Sequence, residues 1–187
     1  MLKMLRVFSV LVAVLLSACV PELANPLTAP GAQALDKTLF GSWILHDKEE
    51  HSFLHIGQEE GGKNFSILIV DIHKPQTISS RVYRGHNSSV GDKVYLNIEV
   101  LDDKNKQKAY MLVRYSVAGS DLKISLVDTS SIEKAIKAGK LAGKVDDKPQ
   151  TISVTADAAA LQAFVTSNDS ELFKKFAPFK KVVLPPL

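Results

Sequence analysis

A single cysteine in 187 residues excludes any disulfide within the chain, so its folded part must rest on an ordinary apolar core. Aromatic residues are sparse at 7%, with one Trp among them. Charge of one sign is also lacking: 23 Lys and Arg face 20 Asp and Glu, and two of the bases, Lys3 and Arg6, precede the first apolar run. A protein that binds nucleic acid needs a basic face to offset many phosphates, and this balance argues against one. Catalytic signatures are missing as well. No serine stands in a Gly-x-Ser-x-Gly elbow, and the glycines at 61–62 and 139–143 lack the lysine pattern of a phosphate-cradling loop. With no paired acid and base in view, the chain reads as a non-enzyme with no cofactor.

What is present starts at the amino terminus. Lys3 and Arg6, then the apolar residues 7–15, then small side chains, follow the order of a secretory signal. Such a run is too short for a bilayer core, which takes about 20 residues in a helix. The tetrapeptide that follows, Leu16-Ser17-Ala18-Cys19, resembles the lipobox of bacterial lipoproteins. The resemblance implies cleavage before Cys19, a diacylglycerol thioether on its sulfur and acylation of its new amino group. Free cysteines are more often small buried hydrophobes, but position 19 lies where a core residue would not. Each buried methylene contributes about 0.8 kcal/mol, so several acyl chains hold a protein on a membrane almost permanently. The absence of Asp at position 20 implies the outer membrane, facing the periplasm, in a Gram-negative envelope.

This reading divides the chain into a signal at 1–18, a lipidated cysteine with a flexible tether at 19–38, and one domain at 39–187. The tether is expected because Pro21, Pro26, Pro30 and Gly31 stand among few large apolar groups. Extended, it would lift the domain some 50 Å off the bilayer at about 3.1 Å per residue.

Beyond it the apolar residues adopt a two-residue period, the mark of strands with one buried face. Leu96, Ile98 and Val100 alternate with Tyr95, Asn97 and Glu99; Met111, Val113, Tyr115 and Val117 alternate with their neighbours; so do Leu122, Ile124 and Leu126. Residues 39–46, 51–56, 65–72 and 77–84 read as four earlier strands, joined by short polar turns. The near-continuous apolar run at 65–72 predicts a central strand covered on both faces. Ser130-Ser131-Ile132-Glu133 fits a capping box and opens a helix that Gly139 closes. Residues 151–155 form an eighth strand, 158–166 a second helix and 171–176 a third that stops at Pro178. The segment 141–150 is expected to be an irregular loop at a barrel rim. The predicted fold is mainly β (α+β), a small antiparallel up-and-down barrel of about eight strands with two or three short helices, because closure removes exposed edges. Its core should include Trp43, Ile69, Leu96, Ile98, Val113, Leu122, Ile124 and Phe164.

Gly41-Ser42-Trp43 at the start of the first strand is similar to the Gly-x-Trp signature of lipocalins and shorter lipocalin-like domains. The resemblance implies a barrel whose floor is plugged by Trp43 behind Gly41, with Arg114 the candidate to stack over the indole. A lone Trp near a strand start also serves as plain core packing.

The spacing of the histidines does not suit a metal site. His51 and His55 are four apart among acids, but on a strand that spacing spans about 13 Å, too far for one ion. His46, His73 and His86 lie near strand ends and join a site only through tertiary folding, so no metal is expected. Three function classes remain. A non-catalytic interaction or accessory module would expose an apolar patch to an envelope protein. A lipocalin-like carrier of a small apolar ligand would enclose several hundred Å³. An envelope enzyme, the least supported, would need convergent polar groups in one cleft.

Overall fold

The computed structural model describes residues 20–46, 50–73, 77–101, 108–147 and 150–183. Leu16, Ser17, Ala18 and Cys19 lie outside them. Seven consecutive strands form an up-and-down meander: β2 (Gly41–His46), β3 (Glu50–Gln58), β4 (Phe65–His73), β5 (Thr77–Val90), β6 (Lys93–Leu101), β7 (Lys108–Ala118) and β8 (Asp121–Leu126). Each pairs antiparallel with the next. An eighth strand, β11 (Ala177–Lys181), inserts between β8 and β2 and closes the ring. The result is the small antiparallel barrel that the alternation implies, with the lipocalin-like form that the Gly41-Ser42-Trp43 resemblance implies.

The barrel core follows from the period. Inward positions carry Trp43 and Leu45 on β2, Leu54 and Ile56 on β3, Phe65, Ile67 and Ile69 on β4, Leu96 and Ile98 on β6, and Val113 on β7. Burying each large apolar side chain contributes roughly 1.5–3 kcal/mol. Of the expected core residues, Ile124 and Phe164 are only half-buried, whereas Trp43, Ile69, Leu96, Ile98, Val113 and Leu122 are buried.

The closing strand is not the one expected. Residues 151–155 do form a strand, β10 (Gln150–Val154), but it lies outside the barrel. The segment predicted as a third helix, 171–176, is instead the end of one longer helix followed by an irregular link that leads into β11. Ala177 and Phe179 point inward while Pro178 and Lys180 face water, and pairing both neighbours removes two sheet edges at once. The expected irregular loop also departs from prediction. Within it β9 (Gly143–Asp147) pairs antiparallel with β10, with Leu141 buried beside it. Gly143 permits this approach, because a Cβ there would lie 2.6 Å from the Ser153 carbonyl oxygen and 2.7 Å from Ile136 Cδ1.

The largest correction concerns residues 20–37. They are not a free tether. A short strand, β1 (Glu22–Leu23), pairs parallel with β10 and antiparallel with β7 at Tyr110, beyond the end of β8. Leu23 and Leu27 are buried. The backbone N–H of Leu27 donates to Asn97 Oδ1 (2.9 Å) and that of Asp36 to Asn87 Oδ1 (3.0 Å). Prolines suit this extended path, since the segment forms few ladder bonds for them to break.

Two helices complete a second layer. In α1 (Thr129–Lys137) the cap is Asp128, whose carboxylate accepts from Ser131 N, two positions before the expected Ser130. In α2 (Ala158–Leu172) Asp157 does the same for Ala160 N. With β1, β9 and β10 they form a second apolar core against the outer faces of β6 and β7, joining Tyr95, Tyr110 and Leu112 to Leu27, Ile132, Leu161 and Leu172. The strands covered on both faces are therefore β6 and β7. On β4 the outward Ser66 is exposed and Leu68 and Val70 are only half-buried.

Candidate functional site: the barrel interior and its uncovered wall

The floor of the barrel is built around Trp43, which is fully buried. Its Nε1–H donates to the Leu39 carbonyl (2.9 Å), from a single 3-10 turn at Lys37–Leu39 that crosses the barrel end. Asp36 caps that turn, and its other oxygen accepts from the Tyr115 hydroxyl (2.9 Å). Burial first, and the Asp36 charge second, push the Tyr115 pKa far above its ordinary value, so the phenol stays a donor. The cation over the indole is Lys181, with Nζ 5.1 Å from the ring centroid. Arg114 does not reach it. That guanidinium lies on the outer wall, 2.5 Å from Asp169 Oδ2 and over the ring of Phe176. Gly41 has φ +123°, and a Cβ there would stand 3.2 Å from Lys181 Cε, so the glycine leaves the path by which Lys181 reaches Trp43.

The interior encloses a cavity of about 70 Å³, walled mainly by Leu54, Ile69, Leu96, Val113, Leu126 and Phe179. Cavities that admit benzene measure about 150 Å³, so the barrel is largely filled by its own side chains. One part of the wall is polar. Ser52, Asp71 and Ser79 form one inward cross-strand row on β3, β4 and β5. Ser52 Oγ donates to Asp71 Oδ1 (2.7 Å) and Arg81 Nη2 to Oδ2 (2.5 Å). Asp71 is fully buried. Arg81 Nε and Nη1 and Ser79 Oγ are buried without a hydrogen-bond partner among the described residues. Unpaired buried donors cost about 1–3 kcal/mol each, and such groups call for an explanation. This cluster was overlooked in sequence because Asp71 sits in an apolar run; the signal was an acid on the inward register of Phe65, Ile67 and Ile69.

The histidines separate as their strands dictate. His55 Nδ1 bonds Ser42 Oγ (2.7 Å), and no carboxylate bonds the other ring nitrogen among the described residues. His86 is buried against Thr28, with Nε2 bonded to its carbonyl oxygen (2.6 Å), and burial lowers its pKa. His46 and His51 face each other across β2 and β3. Among the described residues no three His, Cys, Asp or Glu gather as a metal cluster.

On the outside, β2 to β4 and the first half of β5 carry no second layer among the described residues, whereas the second half of β5 is covered by the amino-terminal segment through His86, Asn87 and Ser88. Ile44, Phe53, Leu68, Val70 and Ile72 form a half-buried apolar field, and beside them Ile78 and Val82 are 66% and 70% exposed. Register aligns Ile44 with Phe53 and Val70, Ile72 with Ile78, and Leu68 with Val82, so the patch is continuous across four strands. Among the described residues no helix is long and apolar enough to cross a membrane. No protein-family model matches the chain, and no curated protein or solved structure proves significantly similar to it.

Proposed function

We propose that this chain is a non-catalytic interaction module of a bacterial envelope, anchored by lipid on Cys19, which docks an envelope protein through the outer wall of β2 to β5. The observation that carries this reading is the uneven covering of the barrel. The protein spends β1, β9, β10, α1 and α2 on burying the apolar outer faces of β6 and β7, yet leaves Ile78 and Val82 in water. Contiguous exposed apolar patches mark interaction surfaces. This one carries serines and imidazoles but no formal charge between Ile44 and Val82, which suits an uncharged protein face better than an anionic lipid surface. The lipobox-like run supports the anchor, and packing from Val20 onward keeps the domain close to it.

A photoreactive phenylalanine analogue at position 82, expressed in cells, should give a discrete cross-linked adduct that Ile78→Asp abolishes. The same probe at exposed Lys123 on β8 should give none. No adduct at 82, or the same adduct at both positions, rejects the docking face. Labelling with an alkyne fatty acid tests the anchor, and equal incorporation by the parent and Cys19→Ser rejects it.

The unpaired donors of Arg81 and Ser79 favour a second reading, a carrier of a small ligand with an acceptor oxygen. A short carboxylate that shifts the NMR signals of the parent, but not of Arg81→Met, would support it.

A further inference from the structure

We propose that His46 and His51 form a two-nitrogen chelate for a divalent late first-row transition metal on the surface of β2 and β3. The two residues are the last cross-strand pair of that ladder, so their Cβ atoms are held about 5 Å apart by the sheet. Their Nδ1 atoms approach to 3.1 Å, with ring planes at 82°. Nitrogens about 2.0–2.1 Å from one Zn²⁺ at a tetrahedral angle lie about 3.3 Å apart. At the right angle of tetragonal Cu²⁺ or Ni²⁺ the separation is about 2.9 Å. The observed spacing falls between the two.

Two imidazoles this close share one proton between their Nδ1 atoms. A metal takes its place, and the displaced Nδ1 proton moves to the Nε2 of the same ring, so each histidine stays neutral as ligation requires. Both side chains are exposed and turn without disturbing the core. His55, four residues along β3, is held by Ser42 and lies about 13 Å from His51 along the strand. No third His, Cys, Asp or Glu joins the pair among the described residues.

The test is titration of the full chain, its one thiol at Cys19 blocked, with Cu²⁺, Ni²⁺ and Zn²⁺ by calorimetry. Binding should saturate at one ion per chain and be tightest for Cu²⁺. Electron paramagnetic resonance of the Cu²⁺ form should show two nitrogen ligands. His46→Ala and His51→Ala should each weaken binding at least tenfold, while His55→Ala leaves it unchanged; circular dichroism checks that each variant is folded. The proposal is overturned if the parent shows no saturable binding, if the double His46→Ala/His51→Ala variant binds as tightly, or if His55→Ala weakens binding as much.

Discussion

Lys181, the last residue of β11, stands over the indole of Trp43 with Nζ 5.1 Å from the ring centroid. The same two residues are cross-strand partners in the β11–β2 pairing that closes the barrel. Floor and closure are thus one device: the strand that seals the ring also brings the cation that covers the plug.

Breaking this contact should cost measurable stability. Lys181→Ala removes a cation–π interaction of about 0.5–2 kcal/mol. Gly41→Ala should cost at least as much, because φ +123° disfavours any side chain and the new Cβ meets Lys181. The single Trp makes its own fluorescence the readout in urea titrations. Unchanged midpoints in both variants would refute the arrangement.

The meander was legible because β2 to β8 are neighbours in sequence, and most of them carry enough inward apolar residues to display a period of two; on β5 the inward row is Ser79, Arg81 and Tyr83, and its apolar Ile78 and Val82 face outward. β11 was not. Its five residues include Pro178 and two lysines, and its partners β8 and β2 lie far off in the chain, so only the assembled sheet reveals the alternation. Residues 20–37 hid for a related reason: Leu23, Leu27 and Leu35 have no regular spacing, since the segment is held by side chains such as Asn87 and Asn97 rather than by a ladder. Asn97 reads as a polar strand position and Asn87 lies past the strand expected at 77–84, and nothing local signals that another segment covers them. Trp43 is buried in the barrel core, and the cation over it comes from β11, which the sequence does not display as a strand, rather than from Arg114 on β7.

The Asp71–Arg81 pair should behave as a buried ion pair. Removing either charge alone leaves the other uncompensated, which typically costs about 3–5 kcal/mol. Asp71→Leu and Arg81→Met should each lower the urea midpoint strongly, and the double variant should recover most of the loss. If the two single losses simply add, the pair is not coupled.

His86 makes stability depend on pH. Burial lowers its folded-state pKa below the ordinary 6.5, with the Thr28 bond and Glu99 only partly opposing. The unfolded chain then binds the proton more readily, so this contribution is complete above pH 6.5 and is lost as pH falls through the lowered folded value. His86→Gln should flatten the stability profile on the acid side of neutrality. A profile identical to that of the parent would remove His86 as its cause.

The packed amino-terminal segment yields the sharpest contrast with a tether. If residues 20–37 were free, Leu27→Ala would leave stability unchanged. Leu27 is instead fully buried within the second core, and its backbone N–H satisfies the buried Asn97 side chain. Truncating a leucine so placed typically costs about 2–5 kcal/mol, through lost burial and the cavity left behind. Thr28 next to it bonds Ser88 Oγ and presents its carbonyl oxygen to His86, so loosening position 27 should also expose His86. Hydrogen exchange of β5 and β6 amides would report it: Leu27→Ala should speed exchange around 86–88 and 95–97 while leaving β2 and β3 protected. Exchange unchanged at 86–88, together with an unchanged urea midpoint, would return the segment to the status of a spacer.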